Sequence, residues 1–282
     1  MIMDIIETAG KALGAAGAVR IGRSVCGRPI LCAHVGGYGP QILITAAIHA
    51  RECYTATVVI RQMRELERAV RRGAVRGGAW FVPIVNPDGA AFFDSGATSG
   101  SEFLERNADK RLVWKANADG VDLNCNFDAH WGSGMHNKTE RGAADCIGAC
   151  PFSAPESRAL AAFTRQVRPS ATVSYHCMGG ELYWEFFQTG DRRLRDMRLA
   201  TAVAEHIGVK RVDGDLSSAG GYKDHCVLRL GIPAVTVELI AQGEHPFREE
   251  DFAPEAERNA RLPEMLIDYL NIEEKRSNDE QR

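Results

Sequence analysis

Two histidines and two glutamates of this chain stand at the ends of apolar runs rich in β-forming residues. In LITAAIHARECYTAT, from Leu43 to Thr57, an Ile42-Leu43-Ile44-Thr45 run gives way to small residues, and His49 and Glu52 follow where a strand should end. A strand exit that presents an imidazole and a carboxylate is half of a metal site. His-x-x-Glu alone is a weak signal, since glutamate is common, but none of the other seven histidines begins a second one. Another β-rich run, residues 171–175, ends on His176, and a third, residues 234–239, carries Glu238. Open α/β sheets place their ligands at the carboxyl ends of strands, so three such exits on one edge would bring these four side chains together.

The elements between them fit that arrangement. Residues 19–21 and 29–35 read as a hairpin across GRSVCGRP, leading through a Gly-rich loop into the His49 strand. Residues 53–72 repeat Val58, Val59, Met63, Leu66 and Val70 at helical spacing, and residues 79–85 form the next buried strand. Strand, helix, strand implies a right-handed parallel crossover, which puts both exits on one edge. Asn86-Pro87-Asp88-Gly89 reads as a turn, residues 93–114 as irregular, and the Asn- and Asp-rich stretch 114–132 as a long shaped loop running on to 155. Helices are expected over 155–167, 191–207, 222–230 and 255–270, with an amphipathic helix in residues 1–18 and a frayed charged tail at 273–282. No repeat or linker divides the chain, so residues 1–282 are expected to form a single domain.

Bulk composition narrows the partners. Hydrophobic residues make up 45% and charged residues 25%, enough for a sizeable core, and 34 basic against 37 acidic side chains give no reason to expect nucleic acid or an anionic membrane. No run reaches the roughly 18 apolar residues of a membrane span. Asp4 and Glu7 stand where a secretory signal would be basic, and eight scattered cysteines suit reduced thiols, so a cytoplasmic protein is expected. Cys146 and Cys150 with nearby His136 lack a standard zinc spacing and are read as free thiols in a surface loop. A peptide or small molecule is the expected partner; the sequence says nothing of oligomeric state.

In order, HxxE after a strand, NPDG, GVDLNxNF, a strand ending in SYH and a late TVEL glutamate resemble the zinc metallocarboxypeptidases of the carboxypeptidase A type, over about residues 20–243. The resemblance implies an α/β fold, a mixed sheet of about eight strands with helices on both faces. It also implies one Zn2+ per chain held by His49, Glu52 and His176, with Glu238 as general base. Such an ion acidifies water and polarises a carbonyl, and a nearby carboxylate can carry the proton to the leaving amine.

Departures from the pattern bear on the substrate. Digestive members of the family hold a terminal carboxylate with an Asn-Arg pair, where this chain has Asn124 and Cys125, and a thiol cannot make the bidentate guanidinium contact. The oxyanion-stabilising arginine is matched by Lys115 after Trp114, and the flexible tyrosine by Leu216. WKAN, GVDLN, SYH followed by Tyr183-Trp184, and GGYKD are similar to a bacterial branch that cleaves γ-D-glutamyl-diaminopimelate bonds of murein peptides. Lys223 matches the base of the pocket beyond the scissile bond, where a cation favours an acidic side chain. Tyr222 and Tyr183 or Trp184 are candidates to line it, and His225 is read as a buried neutral histidine. The expected function is thus a zinc peptidase or amidase acting on murein-derived peptides. Its rivals are a conventional carboxypeptidase, an N-acyl amino acid deacylase, or a non-catalytic zinc-binding module on the same scaffold.

Overall fold

Side-chain alternation decides how the centre of the molecule is built. In β3 (Gln41–Thr45), Ile42 and Ile44 enter one core and Leu43 enters another on the opposite side of the sheet, all three fully buried. The computed structural model describes residues 4–280, and within them eight strands form one mixed sheet. The others are β1 (Val19–Arg23), β2 (Pro29–Gly36), β4 (Gly78–Val82), β5 (Ala171–Cys177), β6 (Glu181–Tyr183), β7 (Lys210–Val212) and β8 (Ala234–Leu239). Their order is β1-β2-β4-β3-β5-β8-β6-β7. The middle four, β4, β3, β5 and β8, are mutually parallel, so their carboxyl ends share one edge.

Helices cover both faces. The larger core takes α1 (Ile5–Ala15), α2 (Thr55–Arg71), α3 (Pro87–Ser95), α4 (Glu102–Glu105), α6 (Gly190–Ile207), α8 (Ala253–Asn259) and α9 (Leu262–Glu280). The smaller one takes α5 (Pro155–Val167) and α7 (Tyr222–His225), the latter continuing as a wider helical turn, Cys226–Leu230. Val173, Tyr175 and Cys177 of β5 face the larger core, which leaves Thr172, Ser174 and His176 for the other side; on β8, Val235, Val237 and Leu239 leave Thr236 and Glu238 in the same way. Near the carboxyl edge this second face is partly uncovered, and a cavity forms there.

Several expectations are corrected. Asn86-Pro87-Asp88-Gly89 does not turn back; it starts α3, with Asn86 as the N-cap and Pro87 in the first turn, where its missing N–H costs nothing. The stretch 93–114 is largely ordered by α3, α4 and a 3-10 segment. The last helix is two, α8 and α9, and α9 runs through the charged residues to Glu280, so the tail is helical rather than frayed; 281–282 and 1–3 lie outside the described residues. β6 and β7 had no sequence signal, being three residues each with a charged residue in both. Cys146 is fully buried, and of the proposed surface pair only Cys150 is exposed.

Asn86 also joins the strand exits. Its Oδ1 accepts from the Gly89 amide at 3.0 Å, while its Nδ2 donates to the carbonyls of Ile48 (3.3 Å) and Ala116 (3.0 Å). Gly89 is required for that packing, since a Cβ there would lie 2.5 Å from Asn86 Nδ2 and 2.8 Å from the Ala116 carbonyl oxygen. Asn86→Ala removes a cap and two buried hydrogen bonds, and should lower the unfolding free energy by about 2–4 kcal/mol. The check is a fall in the urea midpoint at unchanged slope.

Candidate active site

His49 and Glu52 are brought to one side by the short 3-10 turn Ala50–Glu52 that follows β3. That turn is pinned to the loop before residue 122, the Ala50 amide donating to the Lys115 carbonyl and the Arg51 amide to that of Trp114. His176 lies next to the end of β5 and is paired in register with Glu238 on β8, so both project from the same face. His49 Nδ1 is 2.9 Å from Glu52 Oε1, His176 Nδ1 is 3.2 Å from Glu52 Oε2, and the two Nδ1 atoms are 3.3 Å apart. All three side chains are buried. Among the described residues no other group of three His, Cys, Asp or Glu side chains converges in this way, and His136 with Cys146 and Cys150 does not.

Donor chemistry fits zinc. Two nitrogens and one carboxylate oxygen are the ligands of a catalytic site that keeps a coordination position for water. The orientation of His49 is fixed from behind: its Nε2 lies 3.3 Å from Asp122 Oδ1, which directs Nδ1 into the cluster. Asp122 is itself held by the amides of Asn124 and Asp145, both at 3.1 Å. Its role was not read from the sequence, although it is the aspartate of GVDLN; what it touches is visible only once the chain is folded.

The charges of the site are interdependent. Burial depresses the His49 imidazole, but Glu52 overrides this and, with Asp122, raises its pKa to about 9. Burial opposes ionisation of Glu52 as well, and His49 and His176 overcome it, holding that carboxylate below its ordinary range. His176 is lowered, chiefly by burial, and is neutral. Glu238 is pushed up to about 8 by burial and then by repulsion from Glu52. A divalent cation at the three ligands would oppose that repulsion. Lys115 remains an ammonium, burial being outweighed by Asp122, 4.0 Å from its Nζ, and by Glu52. Arg51, set between the two ligands of the first motif, was also overlooked; its charge partly offsets the rise at Glu238.

Beside Glu238 lies a cavity of about 230 Å³ lined by Asn124, Tyr183, Asp215, Lys223, Asp224 and Thr236, among others. Lys223 does not face solvent: it is 7% exposed, with Nζ 2.6 Å from Asp224 Oδ1 and 2.9 Å from the Glu185 carbonyl oxygen. Asn124 accepts from the Tyr222 amide at 3.0 Å. Tyr222 itself is a correction: its ring sits in the smaller core, 5.4 Å from that of Phe127, and its hydroxyl meets Thr164 Oγ1 at 2.8 Å, so it does not line the cavity. Trp184 is buried too and donates to Asp213, leaving Tyr183 as the lining aromatic. Cys125 is outside the lining; burial raises its thiol pKa far above the ordinary value, so it is not a thiolate, and its backbone packs on Gly220. His225 is buried, with its pKa lowered by burial and Nδ1 against the Asp128 carbonyl. A larger cavity of about 680 Å³ between α6 and α9 contains none of these residues.

Residues 14–261 match the family of zinc carboxypeptidases. The chain belongs to that family. His49, Glu52 and His176 form the cluster that could hold the family's zinc. A γ-D-glutamyl-L-diamino acid endopeptidase of Lysinibacillus sphaericus is 29% identical over 252 residues, which cover 82% of this chain and 62% of that protein. Murein peptide amidase A of Escherichia coli K12 is 29% identical over 168 residues, 57% of this chain and 59% of the other. The chain thus spans about three-fifths of the length of these two relatives. Bovine thrombin-activatable fibrinolysis inhibitor superposes with a TM-score of 0.79 at 17% identity, over 97% of this chain and 98% of that one, a likeness of fold. Among the described residues no helix is long and apolar enough to cross a membrane.

Two outcomes follow for the metal. Binding requires a neutral His49, whose ring is protonated below about 9, so zinc uptake near neutral pH should release at least one proton and affinity should fall at least about tenfold per pH unit lost. Calorimetry in buffers of different ionisation enthalpy measures that proton. Asp122→Asn should weaken zinc binding by about 10- to 100-fold, as read by competition with a chromophoric chelator.

Proposed function

We propose that this protein is a zinc metallopeptidase that hydrolyses the amide between γ-D-glutamate and diaminopimelate in cell-wall peptides. The observation that carries the reading is the cavity beside Glu238, whose floor holds the cation Lys223, in a chain with Cys125 where a carboxylate-binding arginine would mark a digestive carboxypeptidase. The activities for which the two bacterial relatives are named support it. The eight unpaired cysteines support action on wall fragments inside the cell.

His49, Glu52 and His176 would hold one zinc ion per chain, which when bound would supply Lewis acidity toward a carbonyl and acidify water. Glu238 takes the proton from the attacking water and returns it to the leaving amine. Its raised pKa brings it near the working pH, where one carboxyl can serve in both directions. Lys115 offsets the negative charge that develops on the carbonyl oxygen, as a point charge without the planar fork of arginine. Asn124 and Lys223 hold the part of the substrate beyond the bond, and Cys125 contributes by leaving no guanidinium there to demand a free terminal carboxylate.

The test is mass spectrometry of products from L-Ala-γ-D-Glu-diaminopimelate, its D-Ala-extended form and a plain C-terminal peptide. Wild type should release diaminopimelate-containing products. Glu238→Gln should retain zinc and lose about 10²- to 10⁴-fold in kcat. Trimming of the plain peptide alone would overturn the reading.

A further inference from the structure

The cavity beside Glu238 is not simply cationic. Lys223 is the one base among the lining residues, and besides Glu238 two carboxylates, Asp215 and Asp224, accompany it. Asp224 is 1% exposed, engages Lys223 through Oδ1 and lies 3.3 Å from Ser218 Oγ through Oδ2, so it is spent on holding the ammonium in place. The same ammonium lies 2.9 Å from the Glu185 carbonyl oxygen and 5.4 Å from the centre of the Phe186 ring, which fixes it on three sides. Asp215 stands at the exposed side of the cavity, and its orientation is set by its own turn, Oδ1 accepting from the Ser217 amide at 2.9 Å and from Ser217 Oγ at 2.6 Å. Those bonds, together with the charge of Lys223, keep Asp215 ionised.

This pattern discriminates among side chains by charge. The Lys223 ammonium has three N–H donors and two polar partners, Asp224 and the Glu185 carbonyl, so a purely anionic side chain would gain one contact there but would meet Asp215 as a negative charge. A purely cationic one would reach Asp215 but place its carbon stem and charge toward Lys223. A side chain ending in both a carboxylate and an ammonium satisfies both. We propose that Asp215 is a specificity-determining residue, which pairs with a distal ammonium while Lys223 takes a distal carboxylate, so that the cavity selects a side chain ending in a zwitterionic amino-acid head. The proposal rests on the γ-glutamyl-diaminopimelate reading of the preceding subsection and adds to it the residue that recognises the distal ammonium.

The experiment compares three γ-D-glutamyl tripeptides whose last residue is diaminopimelate, 2-aminopimelate, which lacks the distal amine, or lysine, which lacks the distal carboxylate. For the wild-type zinc enzyme, kcat/KM should be at least about tenfold higher for diaminopimelate than for either truncated form. Asp215→Asn should bring the diaminopimelate and 2-aminopimelate values to within about threefold of each other, and Asp215→Lys should reverse their order. Zinc content and far-ultraviolet circular dichroism report whether each variant has kept its fold. Equal rates on all three substrates, or an unchanged ratio in folded Asp215→Asn, would overturn the proposal while leaving the γ-glutamyl reading in place. If none of the three is cut while the plain peptide is, both fall.

Discussion

Glu52 is a carboxylate buried at the centre of the molecule, and such a charge is tolerated only where opposite charge or a cation meets it. Its two oxygens lie at hydrogen-bonding distance from two different imidazoles, one arriving from the turn after β3 and one from β5. Much of the architecture can be understood as what keeps that meeting in place. Parallel pairing of β3 with β5 puts both exits on one edge, Asn86 ties the turn to its neighbouring loop, and Asp122 supports His49 from behind. A shift of one residue in β5 would turn His176 toward the larger core and leave Glu52 without its second partner.

The same burial that makes Glu52 costly makes its neighbours responsive. Glu238 lies in register with His176, and the proximity of Glu52 together with desolvation keeps its proton more tightly bound than on an ordinary glutamate. Lys115 and Arg51 bring positive charge to the same small volume, so the field at the strand ends is mixed rather than uniformly acidic. The cavity beyond it repeats that arrangement on a smaller scale, with Lys223 set between carboxylates.

The order of motifs and the apolar alternation of the long strands made the sheet, the convergence of His49, Glu52 and His176, and the nearness of Glu238 legible from the residues. What was hidden depends on contacts between distant segments. Asp122 is one aspartate in a stretch rich in them until His49 is placed against it. Tyr222 follows Gly221 and precedes Lys223, and adjacency could not tell that Lys223 enters the cavity while the tyrosine ring enters the core. Asn86-Pro87 has the composition of a turn and equally that of a helix start, and only the Ala116 and Ile48 carbonyls decide it. β6 and β7 are too short for periodicity to show, and they form because β8 offers an edge to pair with.

The ligand cluster unites residues 49 and 52 with residue 176, on strands that touch only when the middle of the sheet is assembled. An ion held there is therefore a cross-link as well as a reagent. It closes a long loop of chain, so part of its binding energy opposes the entropy of the unfolded polypeptide. During synthesis the seat cannot exist until β5 has emerged and docked, which makes metal capture a late event that reports on completed folding.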